Sequence, residues 1–190
     1  MFRGLIFLCI FLFCACSDEK IDESIISKGL SKESEISKNL DTNSYEEIKE
    51  FFKNNENIIF NKKPNLIIFS ANNCSYCDKL KLEIQKSKEL QKLLKNEFNS
   101  YYINISYQKN HNFNKQILST DEFATLFSTN ATPNLVLLDP NGKTLLIYPG
   151  FMSEKRFILT MKLLKKPENW TLSEDELFKK LFLAYKENNA

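Results

Sequence analysis

The 190 residues, 43% hydrophobic and 13% aromatic, are enough for one globular domain with a sizeable core plus some peripheral sequence, and too few to make two domains the expectation. The 26 Lys and Arg nearly balance the 24 Asp and Glu, for a formal net charge of +2. The chain therefore lacks the cationic excess that holding a phosphate backbone requires, and nucleic acid is excluded as a partner class.

The chain opens in the form of an export signal at residues 1–15: basic Arg3, an apolar stretch over residues 5–13, then small Ala15. The apolar run is too short to span a bilayer. Cys16 comes next, followed by an abrupt polar switch, Ser17-Asp18-Glu19-Lys20. This arrangement resembles the cleavage and lipidation site of bacterial lipoproteins, although Phe13 and Cys14 fill places where that family usually has leucine or another aliphatic residue. The resemblance implies a lipid anchor on Cys16 and a periplasmic, membrane-tethered protein; a plain secretory leader with an incidental cysteine is the alternative. Residues 16–43 are rich in Ser, Glu, Lys and Asp, with no aromatic residue and no proline, and read as a polar tether. Six aliphatic residues in it, Ile21, Ile25, Ile26, Leu30, Ile36 and Leu40, include pairs at i,i+4 spacing, so a short helix or a self-association segment stays open. As a coil the tether has a typical end-to-end distance of about 30 Å.

The globular domain is expected over residues 44–190. Ser44 with Glu47 forms a capping-box pattern that predicts an amphipathic helix through Ile48, Phe51 and Phe52. After the weak apolar triplet Ile58-Ile59-Phe60 and Lys63-Pro64, Leu66-Ile67-Ile68-Phe69 predicts a strand apolar on both faces, hence central in a sheet. Cys74-Ser75-Tyr76-Cys77 follows directly, and then good helix formers over residues 78–98. The apolar face of that helix slips between Gln85 and Glu89, which predicts a kink or two abutting helices. Tyr101-Tyr102-Ile103-Asn104-Ile105 is the next strand, residues 106–115 a polar loop, and Ser119 with Glu122 caps a short helix bearing Phe123, Leu126 and Phe127. Beyond Thr132-Pro133, Leu135-Val136-Leu137-Leu138 and Thr144-Leu145-Leu146-Ile147-Tyr148 flank an Asn141-Gly142 turn, a strong hairpin signal. Gly150 and Ser153 introduce a helix with Phe157, Ile158, Met161 and Leu164, and Ser173 with Glu176 caps a last one with Leu177, Phe178, Leu181, Phe182 and Tyr185. No internal repeat is apparent.

Of the five cysteines, Cys9, Cys14 and Cys16 lie in or at the end of the leader, leaving Cys74 and Cys77 in the domain. A disulfide-stapled scaffold would spread more cysteines along the chain, so the pair reads as a working dithiol. Two cysteines separated by two residues where a strand passes into a helix are able to close a small disulfide, with the first sulfur at the helix N-terminus. Unpaired backbone N–H groups there favour a thiolate at Cys74, the nucleophile of disulfide exchange. Cys77, one turn further on and expected to be more buried, would attack the mixed disulfide and release product.

The order strand, cysteine pair, helix, strand, helix, Thr-Pro, hairpin, helix resembles the thioredoxin superfamily over residues 44–166. The resemblance implies an α/β fold: a three-layer α/β/α sandwich with a mixed central sheet, here with an extra C-terminal helix. It also implies that Pro133 is cis and faces the cysteine pair, that Thr132 pairs backbone-to-backbone with a bound substrate, and that Ser75 and Tyr76 border it. The implied activity is thiol-disulfide exchange on exported proteins, with thiol- or disulfide-bearing proteins as substrates, a membrane redox partner that recycles the pair, and no cofactor. Asn73-Cys74-Ser75-Tyr76-Cys77 departs from the Trp-Cys-Gly-Pro-Cys of cytoplasmic thioredoxins, and the buried acid of that family falls at Ile68. Tyr between the cysteines and Thr before the proline are closer to periplasmic disulfide isomerases and to the thioredoxin-like reductases of cytochrome c maturation. The dimerisation domain of such isomerases is not replaced by so short a tether.

Other classes fit less well. A structural zinc site takes four protein ligands, and the domain offers two cysteines and one histidine, His111, which reads as a solvated loop residue among Lys109, Asn110 and Asn112. The same scarcity argues against a copper chaperone and against Cys-His or Ser-His-Asp hydrolysis. The final helix lies outside the basic thioredoxin pattern; core is its expected use, and docking a partner the alternative. A non-catalytic lipoprotein that uses the scaffold as a binding module, with a permanent Cys74–Cys77 bond, is the rival functional reading.

Overall fold

The computed structural model describes residues 40–190; the expected leader, Cys16 and the tether up to residue 39 lie outside them. Asn65–Ser70 forms β1 with every residue buried, as an apolar run without alternation requires. It pairs in parallel with β2 (Asn99–Asn104) on one side. On the other it runs antiparallel to β5 (Asn134–Leu138), which in turn pairs antiparallel with β6 (Thr144–Pro149). The mixed sheet has the order β2-β1-β5-β6.

Successive side chains of β1 take opposite faces and seed two cores. Leu66 and Ile68 join a cluster built from α1 (Ser75–Lys86), α2 (Lys88–Lys92), α4 (Glu154–Leu164) and α5 (Glu174–Glu187) through residues such as Leu80, Leu90, Phe157 and Leu181. Ile67 and Phe69 join Phe123 and Phe127, beside α3 (Thr120–Leu126), together with Ile58 and Phe113. Helices thus cover both faces of the sheet, the expected three layers, with α5 as the added C-terminal helix.

Two of the three capping boxes form as expected, at Ser119–Glu122 and Ser173–Glu176. The expected slip in the long helix is a break at Ser87, whose backbone turns extended and whose side chain accepts from Leu90 N to start α2; a π turn at Leu93–Glu97 continues it. The β5–β6 turn depends on Gly142 at φ +91°, where an added Cβ would also lie 3.0 Å from the Phe60 ring.

Three expectations are corrected. Ser44 and Glu47 form no capping box: residues 40–43 are already helical, the Ser44 hydroxyl donates to Asp41 O, and only a 3-10 turn at Glu46–Phe51 follows. Residues 106–115 are not all loop, because Asn110–Phe113 (β3) and Gln116–Ser119 (β4) pair antiparallel as a separate hairpin. Asn114 and Lys115 hold φ of 50° and 65°, the left-handed pair that a two-residue hairpin turn needs.

The third concerns His111, which is fully buried on the inner face of β3 rather than solvated. Its Nδ1 lies 2.7 Å from the Asn55 carbonyl and so carries the proton, leaving Nε2, 3.0 Å from the Thr120 hydroxyl, as acceptor. Burial holds its pKa below the ordinary value, against the pull of the Asn55 carbonyl. Asp41, which falls in the residues assigned to the tether, is buried and accepts from Asn55 Nδ2, Asn104 N and Lys109 Nζ.

Candidate active site

The site forms where β1 ends and α1 begins. After Ser70 the chain turns through Asn73 at φ +56°, a left-handed conformation that asparagine takes at low cost, and enters α1 with Cys74 as its N-cap. The turn is held from the neighbouring strand's end: Asn104 Nδ2 donates to Asn72 Oδ1 at 2.9 Å, Ser106 Oγ accepts from Asn72 N, and Asn72 Nδ2 donates to the Tyr107 hydroxyl.

Cys74 and Cys77 are joined in a disulfide. Cys74 is half-buried and Cys77 only 2% exposed, so the first sulfur is the one an incoming molecule meets. Cys77 N donates to Cys74 Sγ at 3.1 Å, the capping bond of the helix. That amide, aided by the positive end of the helix dipole, would stabilise a thiolate at the same place after reduction.

The Thr132-Pro133 peptide is cis, and Thr132 lies against the first cysteine. The Thr132 hydroxyl donates to Cys74 Sγ at 3.4 Å, and the Thr132 carbonyl lies 3.4 Å from the same sulfur. Pro133 is buried and its carbonyl accepts from Gly150 N at 2.7 Å, which ties the Thr-Pro loop to the end of β6. Gly150 has φ +94°, a conformation that a side chain would strain.

Cys74, Cys77, Thr132 and Pro133 thus come together as expected. Ser75, the first residue of α1, is exposed beside them, and Tyr76 is 59% exposed. Two neighbours escape a reading of motif residues alone: Phe151 stacks on Tyr76 with centroids 6.1 Å apart, and Lys79 Nζ sits 4.3 Å over the Phe151 ring. Phe151 stands directly after Gly150, so its position next to a strained glycine was the available signal; Lys79 had none. Ile68, in the place of the family's buried acid, is fully buried among apolar side chains. Cys16 lies outside the described residues. Among those residues no group of three or more His, Cys, Asp and Glu is arranged to hold a metal ion, and no helix is long and apolar enough to cross a membrane.

A family model described as a thioredoxin-like domain matches residues 51–165. Among solved structures, a thioredoxin-fold protein from Helicobacter pylori is 35% identical, over 79% of this chain and 100% of that one, with a TM-score of 0.72. A thioredoxin-like protein from Clostridium perfringens is 21% identical over 62% of this chain and 86% of that one, TM-score 0.43. The C-terminal domain of DsbD from Neisseria meningitidis, in its oxidised form, is 16% identical over 54% and 80%, TM-score 0.42. No curated protein matches the sequence.

Proposed function

This chain belongs to the thioredoxin-like family, and from that premise we propose that it is a thiol-disulfide oxidoreductase acting on exported proteins, chiefly as a reductant. The observation that carries the reading is the position of Cys74 Sγ: half-buried, at the N-cap of α1, with Cys77 N at 3.1 Å and the Thr132 hydroxyl at 3.4 Å. Both donors point at the atom where negative charge develops.

In the forward step the Cys74 thiolate attacks one sulfur of a substrate disulfide. A Cys74–substrate disulfide forms, the substrate S–S bond breaks, and its other sulfur leaves as thiolate to take a proton. Cys77 then loses its proton and attacks Cys74 Sγ, which closes the intramolecular disulfide and releases the second substrate thiol. Two electrons and two protons pass to the substrate, and the chain is left in its disulfide form. With Ile68 in place of an acid, water takes the Cys77 proton. A membrane-borne dithiol partner would return the pair to the reduced state.

Tyr76 and Phe151 would provide the apolar shelf, and Thr132 the backbone edge, against which the substrate segment lies. We place the protein in the periplasm, anchored through Cys16, on the strength of residues 1–20 alone. Two measurements on the full chain test the reading. Cys77→Ala is expected to accumulate mixed disulfides through Cys74 in cells, and the Cys74–Cys77 couple is expected to titrate at about −120 to −270 mV, where exchange proteins work. No Cys74-dependent adduct, with a potential below about −300 mV and no reduction of insulin, would instead favour the binding module with a permanent bond.

A further inference from the structure

The last helix carries an apolar stripe that the fold does not use. Leu177 and Leu181 face the core, yet Phe178 and Phe182, one turn apart, are 67% and 58% exposed. Asp175, Phe178, Phe182 and Lys186 follow one another at spacings of three, four and four, which sets them along one side of α5. Beside Phe178 a groove of about 670 Å³ runs between α5 and β6, the outer strand of the sheet, and Ile147, 40% exposed, lies in its wall.

We propose that this face is an interface between two copies of the chain, packed with α5 antiparallel to α5 across a twofold axis midway between Phe178 and Phe182. Under that axis Phe178 of each copy meets Phe182 of the other at the mouth of the groove. Glu174 and Asp175 of each copy lie beside Lys186 of the other.

Charge selects this occupant. A parallel pairing would set acid against acid at one end and lysine against lysine at the other, whereas the antiparallel one matches both ends. The acidic start and Lys186 near the end also suit the helix dipole, although Glu187 offsets that lysine, and the dipole gives no reason for two exposed phenylalanines between them. An anionic membrane fits poorly, since α5 carries four acids against three lysines. Phe178, Phe182 and Ile147 leave on the order of 300 Å² open per copy, within the range of the largest apolar patch of a monomer, which is often functional. That is less than half of one partner's share of a standard interface of about 800 Å², so the dimer is a weak and reversible one.

Sedimentation velocity on the full chain, with Cys16→Ser so that no acyl group is added, tests this over about 1 to 300 μM. The parent is expected to pass from monomer to dimer across that range. Phe178→Asp should raise the dissociation constant at least about tenfold, with insulin reduction per chain unchanged because α5 is no part of the Cys74 site. Phe182→Ser is a second probe of the same stripe should the first variant fold poorly. Asp175→Lys should weaken the dimer, and adding Lys186→Asp should restore it, whereas association through any other segment would ignore all four changes. A parent that stays monomeric, a dimer indifferent to Phe178→Asp and Phe182→Ser, or a monomer that floats with phosphatidylglycerol vesicles through Phe178 would each overturn the proposal.

Discussion

Two polar clusters adjoin at the C-terminal ends of β1 and β2, linked by the side-chain bond between Asn104 and Asn72, and they treat their charges oppositely. At Cys74 a sulfur lies half-buried with one amide and one hydroxyl directed at it. At Asp41 a carboxylate with 1% exposure accepts from an amide, a backbone N–H and the Lys109 ammonium, whose side chain is itself 7% exposed. A polar atom near the surface and short of partners is available to an incoming molecule. One buried with its partners complete contributes to holding the chain in place, and only its removal is felt.

Single substitutions should separate the two clusters cleanly. Cys74→Ser should lower insulin reduction by more than about a hundredfold while leaving the denaturation midpoint of the reduced protein nearly unchanged, because the nucleophile is lost and little packing with it. Asp41→Ala should do the reverse. It leaves Lys109 as an unpaired buried cation, a loss of about 3–5 kcal/mol readable as a fall in the urea midpoint, with the folded protein's activity kept within about twofold. Should Asp41→Ala slow reduction at temperatures where the protein is still folded, the two clusters are not separate, and the path from Asp41 through Asn104 to Asn72 is positioning the motif.

The same contrast explains what could be read in the sequence. The central strand was legible because an unbroken apolar run has one stable environment, and the break at Ser87 because the helical stripe changes side there. The cysteine site was legible for a related reason: its spacing is local, and the order of elements around it placed Thr132 and Pro133. The Asp41 cluster was not, since its members come from residues 41, 55, 104 and 109 and no short pattern joins them. Ser44–Glu47 has the same local signal as the two capping boxes that form, but anchoring of Asp41 keeps residues 40–43 helical and places Ser44 past a helix end. The polar neighbours of His111 suggest solvent, while the alternation of β3 puts only His111 and Phe113 inward.

His111, bonded to Asn55, reports on the closed cluster through pH. Burial depresses its pKa, so the unfolded chain takes up the proton first as pH falls. Its contribution is complete above the ordinary value of about 6.5, declines as pH falls through the window between that value and the depressed one, and is fully lost below it. Urea midpoints measured between about pH 7.5 and 5 should fall more steeply for the parent than for His111→Asn, which keeps a donor toward the Asn55 carbonyl. As the only histidine in the sequence, it gives an imidazole NMR signal free of overlap. Equal slopes for parent and variant would mean that the ring is solvated and the second cluster is not closed.

The smallest effect falls back on the first cluster, at its most open side chain. Tyr76 touches solvent over more than half its surface, and what orders it is the Phe151 ring, with Lys79 on that ring. A substrate side chain laid on the Tyr76 ring would gain about 0.5–1.5 kcal/mol beyond its buried area, so Tyr76→Ala should weaken substrate capture by roughly two- to tenfold. The loss should appear in KM, because the ring touches a bound segment equally before and during exchange, and uniform binding leaves kcat alone. The potential of the Cys74–Cys77 couple should not move, since neither donor to Cys74 Sγ comes from Tyr76. A fall in kcat with KM unchanged would place Tyr76 among the groups that set the sulfur's reactivity, and the open side of the site would then be doing chemistry rather than binding.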